Sequence, residues 1–169
     1  MSVAVVFDLD GTLVDSMPDI AAAVNRMLAG IGEHPMDRSE VQAYVGNGAP
    51  TLVRRVLAAR GVTEDRHASL FPAFLADYTA HASDLSAPYP EVPETLTRLA
   101  KDGHRLAVCT NKPAAAAQAM LDALDLSRHF GVVIGAGTLP QMKPDPAPLL
   151  GAINELGGGP ALFVGDSEV

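Results

Sequence analysis

Val3-Ala4-Val5-Val6-Phe7 runs without a break into Asp8-Leu9-Asp10-Gly11-Thr12. The first five residues are all apolar and mostly β-branched, so they read as a strand buried on both faces of a parallel sheet. Asp8, Asp10 and Gly11 end the run abruptly. The pattern recurs three times: Arg105-Leu106-Ala107-Val108-Cys109 stops at Thr110-Asn111, Val132-Val133-Ile134 at Gly135, and Ala161-Leu162-Phe163-Val164 at Gly165-Asp166. Helical patterns lie at 93–101, 114–124 and 146–156. Strands alternating with helices predict an α/β fold built on a doubly wound parallel sheet.

Residues 16–86 break the alternation, because they hold no convincing strand. Ile20, Val24, Met27, Leu28 and Ile31 share one helix face, and Pro18 suits a first turn. Asp37 with Glu40 three residues on is a capping-box start for a second, short helix. Leu52, Val53, Val56 and Leu57 mark a third, which Gly61 ends. Thr63 is the expected cap of a fourth, which Pro72 is expected to kink or split. The division read from the chain is an α/β core at 1–15 and 87–169, interrupted by a helical cap at 16–86.

Composition narrows the class. The 169 residues carry 12 Lys and Arg against 20 Asp and Glu, a net charge of −8 that argues against affinity for nucleic acid or an anionic membrane. No apolar run reaches the ~18 residues of a membrane span. The acids arrive by residue 8 with no basic segment before them, which does not read as a signal peptide. A single Cys excludes an internal disulfide framework. These features predict a cytoplasmic globular protein. Cys109, inside an apolar run, is expected to be buried and inert. The five His show no metal-ligand spacing.

The chemistry sits at the strand ends, where open α/β sheets bind ligands. Asp8 and Asp10 can share a metal or divide the roles of nucleophile and general acid/base, or can form nothing more than a solvated turn. Thr110 with Asn111, then Lys143, then Asp166 follow at later strand ends. Hard oxygen ligands beside a fixed cation are what a Mg²⁺-assisted phosphate site needs.

Phe7-Asp8-Leu9-Asp10-Gly11-Thr12-Leu13-Val14-Asp15-Ser16 resembles the first motif of the haloacid dehalogenase-like hydrolases. Cys109-Thr110-Asn111-Lys112 resembles the second, Met142-Lys143-Pro144-Asp145-Pro146 the third and Val164-Gly165-Asp166-Ser167 the start of the fourth. Val45-Gly46-Asn47-Gly48-Ala49-Pro50 and Leu52-Val53-Arg54-Arg55 are most similar to the phosphoglycolate phosphatases of that family. The resemblance implies that Asp8 attacks phosphorus, that Asp10 serves as acid and then base, and that the Asp8 and Asp166 carboxylates and the Asp10 carbonyl hold Mg²⁺. Thr110, the Asn111 backbone and Lys143 are the implied phosphoryl-binding groups. Gly46, Asn47 and Gly48 form either a loop that dips into the site or a plain turn. Arg54 is either a cap cation for a substrate carboxylate or a solvated helical arginine.

The implied reaction is hydrolysis of a small phosphorylated metabolite, 2-phosphoglycolate foremost, by a monomer or homodimer. A sugar-phosphate mutase of the same family and a non-catalytic fragment are the alternatives. Family members continue with a further Asp four positions after Asp166 and with more helix and strand. The resemblance therefore implies a core that lacks its C-terminal part, and a chain of low solubility and activity as it stands.

Overall fold

The structure, a computed structural model, describes residues 2–166. In chain order it runs β1 Ala4–Phe7, β2 Val14–Asp15, α1 Met17–Gly30, α2 Arg38–Gln42, α3 Gly48–Ala59, α4 Asp65–Ala80, β3 Ala87–Pro88, α5 Val92–Lys101, β4 Arg105–Pro113, α6 Ala114–Ala123, β5 Val132–Ala136, α7 Ala147–Glu155 and β6 Ala161–Val164. Ser167, in the start of the fourth motif, lies outside the described residues.

The four apolar runs form one parallel sheet in the order β5-β4-β1-β6. Phe7 is in register with Val108 on one side and Val164 on the other. Alternation divides each strand between two cores, since successive side chains leave opposite faces. Val5, Phe7, Leu106 and Val108 pack with Leu96 of α5 and Met120 and Leu121 of α6. Val6, Ala107, Cys109 and Ile134 pack with Ala152 of α7. Helices on both faces make the sheet doubly wound, as its continuous apolar strands predict. β6 lies at the sheet edge, with Leu162 57% exposed.

The second strand is longer than its apolar run. β4 continues through Thr110 to Pro113 after a break in its pairing with β5 between Cys109 and Pro113. Gly135 permits this: a Cβ there would lie 2.6 Å from Ala114 Cα and 2.9 Å from the Lys112 carbonyl oxygen.

The chain leaves and rejoins the core through a two-stranded antiparallel ribbon, with Val14 opposite Pro88 and Asp15 opposite Ala87. Two-residue strands carry no readable period, so the sequence did not announce it. The buried Asp19 carboxylate secures the junction by accepting from the Leu85 amide, from the Ser86 amide at 2.8 Å and from Ser86 Oγ at 2.5 Å.

Between the ribbon strands lie α1 to α4. Pro18 sits in the first turn of α1 and Ile20, Val24 and Leu28 are buried. The Asp37–Glu40 capping box is complete, with both reciprocal bonds at 2.8 Å. Two expectations bear on α4. Its N-cap is Glu64, not Thr63, and no side chain caps it. Pro72 does not split it: the helix is continuous over 16 residues. Proline inside a helix costs about 3 kcal/mol. Phe74 and Tyr78, one turn apart and both buried, return a comparable amount at ~1.5–3 kcal/mol each. Among the described residues, no helix is long and apolar enough to cross a membrane.

Candidate active site

Asp8 follows β1 directly, and its amide donates to the Val164 carbonyl at 2.8 Å, so the β1–β6 ladder itself sets its position. One carboxylate oxygen accepts from the Leu9 amide at 2.8 Å and the other from Lys143 Nζ at 2.6 Å. Both side chains are largely buried, at 14% and 7% exposure. Lys143 comes from the loop between β5 and α7. The Asn111 side chain holds that loop, donating to the Lys143 carbonyl and accepting from the Lys143 amide, each at 2.9 Å. The Asn111 side chain thus supports the lysine, a contact that the motif alone did not suggest.

Asp10 is engaged by a second lysine. Lys112 Nζ donates to Asp10 Oδ1 at 3.0 Å, from a side chain only 1% exposed. The same ammonium donates to the Tyr78 hydroxyl from α4 and lies 4.4 Å from the centre of the Tyr78 ring. Burial first, then the nearby charges of Asp10 and Asp19, hold the Tyr78 hydroxyl well above the usual phenol range. Thr110 is buried, and its hydroxyl accepts from the Lys112 amide at 3.1 Å. Lys112 belongs to the quoted motif, yet it was not singled out as a site residue. The available signal was a charged side chain three residues past the apolar run of β4, at a position that is buried.

Asp166 lies two residues past β6 and accepts from Thr12 Oγ1 at 3.2 Å. Gly11, at φ +80°, turns the chain past it so closely that a Cβ would lie 2.5 Å from Asp166 Oδ2. On the other side, a Cβ at Gly165 would lie 3.8 Å from Asp8 Cβ. The ends of β1 and β6 thus bring the Asp8 and Asp166 carboxylates to one place. Among the described residues no three acidic, His or Cys side chains form a metal cluster by themselves. The donor set nonetheless fits Mg²⁺, which is held by one or two carboxylates and fills its remaining positions with water and substrate oxygens. Asp10, its side chain committed to Lys112, has its backbone carbonyl to offer.

A cavity of about 400 Å³ opens over these groups. Asp8, Asp10, Thr110, Lys112, Lys143 and Asp166 line its floor, and Ile20, Leu52, Phe74 and Tyr78 supply walls from the helices. Gly46 and Gly48 reach the cavity, whereas the neighbouring Asn47 is exposed and does not. Arg54 is not there either. It is 49% exposed and pairs with Glu64 at 2.7 Å, because Leu52, Val53, Val56 and Leu57 claim the inward face of α3. A different arginine lines the cavity: Arg38 of α2, bound to both Asp15 oxygens at 2.8 and 3.0 Å. Cys109 is fully buried, and that burial pushes its thiol above the usual value.

The sequence profile of a family described as haloacid dehalogenase-like hydrolase matches residues 3–169. A phosphoglycolate phosphatase of Cereibacter sphaeroides is 48% identical over 167 residues, which span 98% of this chain and 77% of that protein. Phosphoglycolate phosphatase 1 of Pseudomonas aeruginosa is 46% identical over 97% of this chain and 62% of its own length. Among solved structures, one described as a predicted phosphoglycolate phosphatase from Haemophilus somnus superposes with a TM-score of 0.90 at 35% identity, over 98% of this chain and 77% of the other. The chain belongs to the haloacid dehalogenase-like hydrolase family.

Proposed function

We propose that the protein is a Mg²⁺-dependent phosphate-monoester hydrolase that converts 2-phosphoglycolate to glycolate and inorganic phosphate. The observation that carries the reading is the buried pair of Lys143 and Asp8 at 2.6 Å, on the floor of a cavity that Asp10, Thr110 and Asp166 share. A carboxylate can approach a phosphate dianion only where fixed positive charge offsets their repulsion. The names of the relatives at 46–48% identity support the choice of substrate.

Asp8 attacks phosphorus in line, and the bond to the glycolate oxygen breaks. Asp10 donates a proton to that departing oxygen. It then takes a proton from the water that hydrolyses the aspartyl-phosphate formed on Asp8. Lys143 and the Thr110 hydroxyl bind the phosphoryl oxygens. Asp8, Asp166 and the Asp10 carbonyl would hold Mg²⁺, which would supply positive charge to offset that of the phosphoryl group. The helices α1 to α4 act as a cap that keeps bulk water from Asp8. Mg²⁺ and a small phosphorylated metabolite are the partners of this reading, and the cytoplasm its compartment.

The test is phosphate release from 2-phosphoglycolate with and without Mg²⁺, by the protein and by its Asp8→Asn variant. Turnover is expected only with Mg²⁺ and only with Asp8 intact, while both proteins melt at similar temperatures. Substantial activity in the Asp8→Asn variant removes Asp8 as the nucleophile.

A further inference from the structure

Two buried lysines stand on the cavity floor, one against each aspartate that follows β1. Lys143 meets Asp8, on the side of the transferring phosphoryl group. Lys112 meets Asp10, on the side where the departing oxygen receives its proton. To deliver that proton, the Asp10 carboxyl has to lie within about 3 Å of the ester oxygen. In 2-phosphoglycolate the carboxylate is one carbon from that oxygen. A cation one hydrogen bond from Asp10 is therefore placed within reach of the substrate's carboxylate.

The bonding of Lys112 leaves one donor for such a ligand. An ammonium has three N–H donors. Two are used, on Asp10 Oδ1 and the Tyr78 hydroxyl, and the third has no acceptor among the described residues. The Tyr78 oxygen accepts from Lys112, so its own proton is free to be donated, and it also has no acceptor among the described residues. Lys112 and Tyr78 both face the cavity. The arginines compete poorly. Arg38 gives its fork to Asp15 and is 52% exposed, and Arg54 stands outside the cavity.

We infer that Lys112, together with the Tyr78 hydroxyl, is the receptor for the substrate's carboxylate. The inference rests on the 2-phosphoglycolate reading given above. It assigns the choice of an acid-bearing ester to a lysine of β4 and a tyrosine of α4, and not to an arginine of α3. Because one donor comes from the sheet and the other from the helices, the acid is gripped only where α4 packs on the strand ends. In that buried setting a charge-assisted hydrogen bond counts for more than at the surface.

The experiment compares 2-phosphoglycolate with 2-hydroxyethyl phosphate, a neutral-tailed ester of similar size, by their kcat/KM values in Mg²⁺. The wild-type protein is expected to prefer the acid. Lys112→Met keeps the length of the stem and is expected to lower kcat/KM for both esters, because Asp10 loses its hydrogen bond. The ratio between the two esters is expected to fall roughly 100-fold. Tyr78→Phe deletes one oxygen atom and is expected to lower the same ratio roughly 10-fold, which keeps the question answerable if Lys112→Met does not fold. A wild-type preference for the acid that both variants retain unchanged overturns the inference: Lys112 then acts on Asp10 alone. A wild-type protein with no preference overturns the substrate reading, and the inference with it.

Discussion

Lys143 Nζ lies 2.6 Å from Asp8 Oδ2, although the two residues stand 135 positions apart in the chain. The Asn111 amide holds the lysine's backbone, so the cation is fixed before any ligand arrives. Preorganised charge of this kind stabilises a transferring group without reorganisation at the moment of reaction. Lys143→Ala is expected to lower kcat roughly 10²- to 10³-fold in a steady-state assay of phosphate release. Lys143→Arg is not expected to restore it, because a planar guanidinium does not replace a point charge at a site packed to this length.

Gly11→Ala tests how tightly the turn after β1 wraps Asp166. The new methyl group meets the Asp166 carboxylate in a backbone conformation, φ +80°, that side chains rarely adopt. The expected loss of stability is roughly 1–3 kcal/mol, read as a lower Tm. Activity is expected to fall as well, because the displaced group is Asp166.

Asp19→Ala removes the acceptor that joins α1 to the chain returning from α4. The Ser86 amide is then left buried without a partner, the Ser86 hydroxyl keeps only its long bond to the Ala82 carbonyl at 3.4 Å, and the Leu85 amide loses its acceptor too. Leaving such groups unsatisfied costs about 1–3 kcal/mol each. Urea unfolding is expected to show a destabilisation of roughly 2–3 kcal/mol.

Arg54→Ala is expected to do little. Its ion pair with Glu64 joins two exposed side chains, and such pairs contribute less than about 1 kcal/mol. The KM for 2-phosphoglycolate is expected to change by less than about twofold. A selective rise in KM for the acid substrate returns Arg54 to carboxylate recognition.

The capping box gives α2 a measurable acid sensitivity. Hydrogen bonds from the Ser39 side chain and then the Glu40 backbone hold the Asp37 carboxyl below its ordinary 3.8. A folded value below the unfolded one stabilises the protein fully above pH 3.8 and loses that contribution as pH falls through the folded value. Asp37→Ala is expected to lower Tm at pH 7. Thermal melts are expected to bring variant and wild type closer together as pH falls through the folded value, below 3.8.

The sequence by itself determined the sheet, most of the helices and the order in which candidate residues reach the strand ends. Each of these rests on a local signal. An apolar run that halts at Asp, Asn or Gly marks a buried strand and its carboxyl end, a 3.6-residue period marks a helix face, and Asp37 with Glu40 marks a helix start. Tertiary structure alone decided what those residues touch. Lys112 meets Asp10 across 102 positions and Tyr78 across 34. Pro72 stays helical because Phe74 and Tyr78 bury on one face of α4. Arg54 turns outward because the apolar residues of α3 claim the inward face, and Arg38 is left lining the cavity. These outcomes depend on how the helices settle against the strand ends, and packing between segments far apart in the chain leaves no period in the sequence of either one.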